Sequence, residues 1–210
     1  MNNSLVNKKF RYSYTNITVK LIIANVIIFA FTMVSDRLYV NLAMIPGYIM
    51  YRYFYWQFLT YMFVHGGLSH LFFNMFGLFI FGSPVEKQLG SKEFLLFYLL
   101  TGTLSGIFSF IAYLIAGVNV ILVGASGAIF AVMLAFAVFY PHARIFVFGI
   151  LPVKAPILVI VYAAIELFNQ VVGTTAGVAH LTHLAGFGFA FLYLYVRLKI
   201  NPIKVFLNSR

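Results

Sequence analysis

Six stretches of the chain carry almost no polar side chain, and the polar residues that interrupt them are few enough to weigh one by one. The stretches run at about 19–34, 68–81, 94–115, 125–140, 157–168 and 178–196. None alternates apolar and polar residues with period two, so a β-barrel built from units of roughly ten alternating residues is excluded. Several fall short of the roughly 20 residues that cross a hydrocarbon core, but apolar flanks extend them. Lipid offers no partner to backbone N–H and C=O groups, and a helix satisfies them within the segment. The pattern therefore predicts an all-α polytopic membrane protein, a compact bundle of six transmembrane helices over 19–198. A segment 1–18 precedes it and a tail 199–210 follows.

Composition agrees: 63% of the 210 residues are apolar and 9% charged, against roughly 25% charged in soluble domains. No repeat is visible, and no soluble domain has room. The formal charge of +10 reflects membrane topology rather than a nucleic-acid partner. With the N-terminus inside, all of the fourteen Lys and Arg except Arg37 and Arg52 fall on the cytoplasmic side, as the positive-inside rule requires. Both termini are then cytoplasmic, and the plasma membrane is the expected location. The N-terminal 34 residues resemble a signal peptide, but Ser35-Asp36-Arg37 follows where a small-residue cleavage site would stand, so a retained helix is expected. With no cysteine, disulfides, thiol catalysis and thiolate metal sites are excluded.

The longest external connection, about 35–57, carries Tyr39, Tyr48, Tyr51, Tyr53, Phe54, Tyr55 and Trp56. Tyr and Trp favour the headgroup zone, so an interfacial aromatic anchor is expected there.

In this topology the second, fourth and sixth helices all enter from the external face. Their first turns hold the residues most out of place in lipid: His70 and Asn74, then Ser126, then His180 and His183. Each alone could merely bond a neighbouring helix. Their common depth points to a site, because polar groups in the membrane are costly. A serine hydroxyl becomes nucleophilic when a base takes its proton, and a histidine, with a reference pKa of about 6.5, suits that task. Ser126 with His183 supplies the pair. Acyl transfer also needs donors for the developing oxyanion, each worth roughly 2.7–4 kcal/mol. His70 and Asn74, four apart on one helical face, and the Ser126 backbone amide at a helix start could provide them. Gly124 and Gly127 would permit a tight entry and a close neighbour; on those four residues alone, Gly124-Ala125-Ser126-Gly127 could equally be a small-residue packing patch.

These residues together resemble the rhomboid family of intramembrane serine proteases. The matching elements are Gly124-Ala125-Ser126-Gly127 for G-x-S-G and His183-Leu184-Ala185-Gly186 with Ala190 for H-x-x-G-x-x-x-G/A. His65 through His70 with Asn74 resembles H-x4-H-x3-N. The resemblance covers about 56–195. It implies a Ser126 nucleophile and a His183 general base in a dyad without a carboxylate, and an oxyanion hole from His70, Asn74 and the Ser126 amide. Gly124, Gly127, Phe130, Gly186 and His180 would support the site. Substrates would be transmembrane segments of other membrane proteins, cut near the outer face, with no metal or cofactor. Three positions depart from the family pattern: Gln57 where Arg often follows Trp, Gln88 in place of the Arg of a Glu-x-Arg, and Phe130 where tyrosine is common. The two glutamines bear on loop anchoring; a Phe130 ring could still pack beneath the His183 imidazole.

Four further features carry expectations. His180, one turn before His183, is expected chiefly in helix packing, and His65 to hold the aromatic loop by hydrogen bonds. Glu166, read as the sole acid within a helix core, is expected at the interface in contact with solvent. The connection 169–177 would be a mobile cap beside a gate formed by the fifth helix. As an alternative class, His65, His70, His180 and His183 could form a metal-transfer cluster, since imidazole binds several transition metals; that leaves Ser126 without a task.

Overall fold

The computed structural model describes residues 10–147, 149–172 and 177–209. It is a helical bundle in which each apolar stretch forms one helical column. The first is α1 (Ile17–Val34). The second is continuous from Leu68 to Leu89 and joins α5 (Leu68–Gly77) to α6 (Ser83–Leu89) through a π-helical turn at Leu78–Gly82. The others are α7 (Ser91–Ala116), α8 (Ser126–Phe139), α9 (Ala155–Val172) and α10 (Gly177–Val196). Gly90 (φ 83) and Gly117 (φ 66) hold the left-handed turns on either side of α7, a conformation costly for other residues.

Among the described residues, four columns are long and apolar enough to cross a membrane: α1, the Leu68–Leu89 column, α7 and α9. Of the remaining two, α8 is the shorter. At 14 residues, α8 is about 21 Å long, less than a hydrocarbon core of about 30 Å. Most of α8 is buried, and α7, α9, α10 and the π turn surround it. The helix is thus enclosed by its neighbours, and its first residue, Ser126, is half-buried.

The connection 35–57 is more ordered than an unstructured aromatic loop. It folds into α2 (Asp36–Leu42) and α3 (Pro46–Arg52) and leads into α4 (Gln57–Thr60). Gln57, fully buried, stitches it down: its side-chain oxygen accepts from Ile45 N at 3.0 Å, and its amide donates to the Val40 and Asn41 carbonyls. Trp56 Nε1 also donates to Asn41 O at 2.9 Å. The departure from arginine at 57 therefore does not release the loop, since an uncharged amide satisfies three backbone groups there. Met44 and Leu122 exchange two backbone hydrogen bonds and tie this layer to the strand-like approach to α8.

At the opposite end of the bundle, two buried acids show that Glu166 is not alone within helices. Glu86 accepts from the Ile17 and Thr18 amides, from Thr18 Oγ1 and from Ser91 Oγ. It thus caps α1, whose own Asn16 makes no side-chain cap. Glu93 binds Arg197 through Nε at 2.5 Å and Nη2 at 2.9 Å, and accepts from Tyr193 OH. That carboxylate, two amino acids beyond Lys92's neighbour Ser91 in the same turn, holds the Arg197 guanidinium firmly protonated and pins the end of α10 to α7. Gln88 is exposed.

Two further elements lie outside the six columns. Arg144–Val147 pairs antiparallel with Leu151–Lys154 in a hairpin between α8 and α9. The segment 199–210, expected to be a plain tail, carries α11 (Pro202–Asn208). Its first amides are capped by the Asn201 side chain, and it packs against α8 and α10.

Candidate active site

Ser126 is the first residue of α8, and the chain reaches it through Gly124 at φ 115, in the left-handed region. A second constraint acts at the same residue: a Cβ on Gly124 would stand 2.7 Å from His70 Nε2. Strain and steric conflict thus both require glycine there. The same Cβ position lies 3.9 Å from Ser126 Oγ, so His70 Nε2 and Ser126 Oγ both come close to Gly124.

His183 reaches Ser126 because α8 and α10 approach very closely. A Cβ on Gly186, three residues after His183, would fall on the Gly127 carbonyl, and one on Gly127 would meet Thr182 Cγ2 at 3.0 Å. Two glycines, one from each motif, therefore set the helix separation. Across it, His183 Nε2 lies 2.7 Å from Ser126 Oγ. The imidazole rests on Phe130, with ring centroids 4.3 Å apart and planes 7° from parallel. Tyr162 and Phe187 pack edge-on against the Phe130 ring and hold it in place. A phenyl ring at this position supports the imidazole without any hydroxyl.

On α5, His70 Nδ1 accepts from Gly66 N at 3.4 Å, so its hydrogen is carried on Nε2, the atom packed against Gly124. Asn74 is buried and uses one of its two amide hydrogens on the His70 carbonyl, at 2.8 Å. The Ser126 amide, at the start of a helix, is among those without an intrahelical acceptor.

Glu166 does not lie in solvent. It is buried on α9, with Oε2 2.5 Å from His180 Nδ1 and Oε1 3.1 Å from His183 Nδ1. The first is a hydrogen bond; the second is at ion-pair distance but off the N–H direction. His180 thus bonds a carboxylate rather than simply packing, and the expected dyad has an acid beside it. The sequence signal was present but faint. Glu166 follows Ala155 and Val159 on one face of α9, the face that is buried.

His65 departs from expectation as well. It is buried against His70, ring centroids 5.1 Å apart, and neither ring nitrogen makes a well-formed hydrogen bond. It therefore does not tie down the loop; burial and the nearby His70 push its pKa down to about 4, with the Phe63 backbone opposing this more weakly. Of the four histidines of the metal-cluster alternative, His65 makes a ring contact with His70 and His180 with His183. Among the described residues, Glu166, His180 and His183 are the group whose ligand-type atoms come within 4.8 Å of one another, and those atoms already engage each other. Of the 169–177 connection, Asn169 to Val172 continue α9, and 173–176 lie outside the described residues.

The Rhomboid domain model matches residues 53–200. The chain belongs to the rhomboid family. Rhomboid protease GluP of Bacillus subtilis is 39% identical over 82 residues, 38% of this chain and 16% of that protein. RHOMBOID-like protein 4 of Arabidopsis thaliana is 29% identical over 155 residues, 74% of this chain and 37% of that one. Rhomboid-like protein 11, chloroplastic, from the same plant is 40% identical over 76 residues, 36% of this chain and 26% of that one. The match spans well under half the length of each of these relatives. The rhomboid domain match together with the apolar columns shows a multi-pass membrane protein of this family.

Proposed function

We propose that this rhomboid is an intramembrane serine endopeptidase that cleaves transmembrane segments of other membrane proteins. The observation that carries the proposal is the 2.7 Å contact between His183 Nε2 and Ser126 Oγ inside an apolar bundle. His183 takes the Ser126 proton as Oγ attacks the scissile carbonyl, then gives it to the departing nitrogen. The oxyanion is received by His70 Nε2–H, the free amide hydrogen of Asn74 and the Ser126 N–H. His70 is suited to this because Gly66 fixes its tautomer and because its Nε2 packs against Gly124, two residues before Ser126.

No cofactor or metal is needed for this chemistry, and nucleic acid has no part in it; the partners are the substrate helices and the bilayer. The six columns form the membrane domain, with both termini cytoplasmic and the Ser126 end toward the outside. The cell membrane is the proposed location. Sidedness is supported by the charge distribution: Lys87, Lys92, Arg144, Lys154 and Arg197 cluster at the end away from Ser126.

The test is cleavage of a transmembrane reporter by purified protein in vesicles. Ser126→Ala and His183→Ala each abolish it, while a chelator has no effect. Cleavage that survives Ser126→Ala, or that requires added metal, contradicts the proposal.

A further inference from the structure

Glu166 occupies an unusual place for a carboxylate. In α9, the residues from Ile160 to Val172 are exposed or half-buried except Glu166. Apolar packing by Ala155, Leu158 and Val159 seats one half of the helix; in the other half, the one buried residue is an acid. A buried carboxylate is costly unless both oxygens are compensated. Here each oxygen faces a different imidazole of α10, Oε2 that of His180 and Oε1 that of His183. A residue serving only to seat α9 would be apolar at this position.

We infer that Glu166, held by His180, is a positioning residue for the proposed reaction, acting through His183 as the third member of a Ser126–His183–Glu166 relay. The inference rests on the serine-protease proposal above. Its logic is the tautomer of His183. To accept the Ser126 proton, Nε2 must present a lone pair, so the one ring hydrogen of the neutral imidazole must be on Nδ1. Nδ1 is sealed from solvent, and the Glu166 carboxylate is the negative group beside it. That charge favours hydrogen on Nδ1 over hydrogen on Nε2. It then attracts the imidazolium once the proton has moved.

The proton balance is complete without Glu166 changing state. As the bond from Ser126 Oγ to the substrate carbonyl carbon forms, the hydroxyl proton passes to His183 Nε2; as the peptide C–N bond breaks, that proton goes to the leaving nitrogen. Water repeats the sequence on the acyl-enzyme: its hydroxyl joins the carbonyl carbon, its proton passes to Nε2, and Ser126 Oγ leaves and recovers that proton. Glu166 stays ionised throughout, as the carboxylate of a Ser-His-Asp triad does. His180 contributes by the Nδ1–Oε2 hydrogen bond, which fixes the carboxylate so that its other oxygen stays on His183.

The experiment compares wild type, Glu166→Gln, Glu166→Asp, His180→Gln and Ser126→Ala in vesicles. It measures kcat and KM for a transmembrane reporter and the thermal midpoint of each protein. Glu166→Gln keeps size and polarity but loses the charge. It should lower kcat by about 10²-fold, within the range of general acid–base effects, with KM unchanged. Glu166→Asp should recover activity above Glu166→Gln. Unchanged kcat in a folded Glu166→Gln, or a loss equal in Asp and Gln, overturns the inference. Should Glu166→Gln not fold, His180→Gln and Glu166→Asp decide: a kcat loss at constant KM in His180→Gln sustains it, and wild-type kcat in both overturns it. Cleavage persisting in Ser126→Ala is a different result, because it removes the serine-protease proposal itself.

Discussion

At the scale of single residues, two of the placements have consequences that can be measured. His65 is neutral in the folded protein down to about pH 4, whereas an unfolded histidine titrates at about 6.5. Between these values the unfolded chain binds a proton that the folded chain does not, so stability falls as pH drops from about 6.5 to 4 and levels off below. The difference in thermal midpoint between pH 7 and pH 4.5 should therefore shrink in His65→Phe, which keeps the ring and removes the titration. An unchanged difference would show that His65 is not the group responsible. Asn74 donates one of its two amide hydrogens to the His70 carbonyl, and if the other serves the proposed oxyanion hole, Asn74→Ala should slow turnover by about 10²-fold without loss of fold. Equal turnover would remove it from the oxyanion hole. Residue types in sequence revealed Ser126, His183, His70 and Asn74, because each is a polar group in apolar surroundings. They did not reveal the pairing of Glu166, 14 and 17 residues from its histidines on another helix, since that depends on how α9 rotates against α10.

At the scale of elements, the short α8 and its contact with α10 decide where the chemistry can take place. Gly186 rests on the Gly127 carbonyl, so Gly186→Val must push α10 away from α8 and lengthen the distance from His183 to Ser126. Turnover should fall at least about 10²-fold, since misplacement by about 1 Å is enough for that. Circular dichroism should show the helices retained. Wild-type turnover in a folded Gly186→Val would mean that the glycine contact does not set the geometry. The six apolar columns were legible from hydropathy alone, because a helix in lipid must be apolar over most of its length. Helices α2, α3, α4 and α11 and the Arg144–Lys154 hairpin were not. They are short, their residues are mixed, and they are held by contacts such as those of Gln57 and Asn201 that local pattern does not encode.

At the scale of the whole molecule, two polar ends bracket an apolar middle. One end holds Ser126, His183 and Glu166; the other holds Glu86 with the start of α1 and Glu93 with Arg197. Charge asymmetry read from sequence supports the proposed orientation, and the absence of cysteine makes that orientation testable. Single cysteines replacing exposed Tyr51, near the Ser126 end, and exposed Lys87, at the other, should react with an impermeant maleimide on intact cells only at position 51. Labelling at 87 and not at 51 would invert the proposed topology.

The most direct measurement of the central claim is labelling by a fluorophosphonate probe, which reacts with a serine only when a base activates it. Wild-type protein in vesicles should be modified at Ser126, and Ser126→Ala and His183→Ala should not be labelled. Absence of labelling in folded wild type, or labelling in His183→Ala at the wild-type rate, would contradict the account.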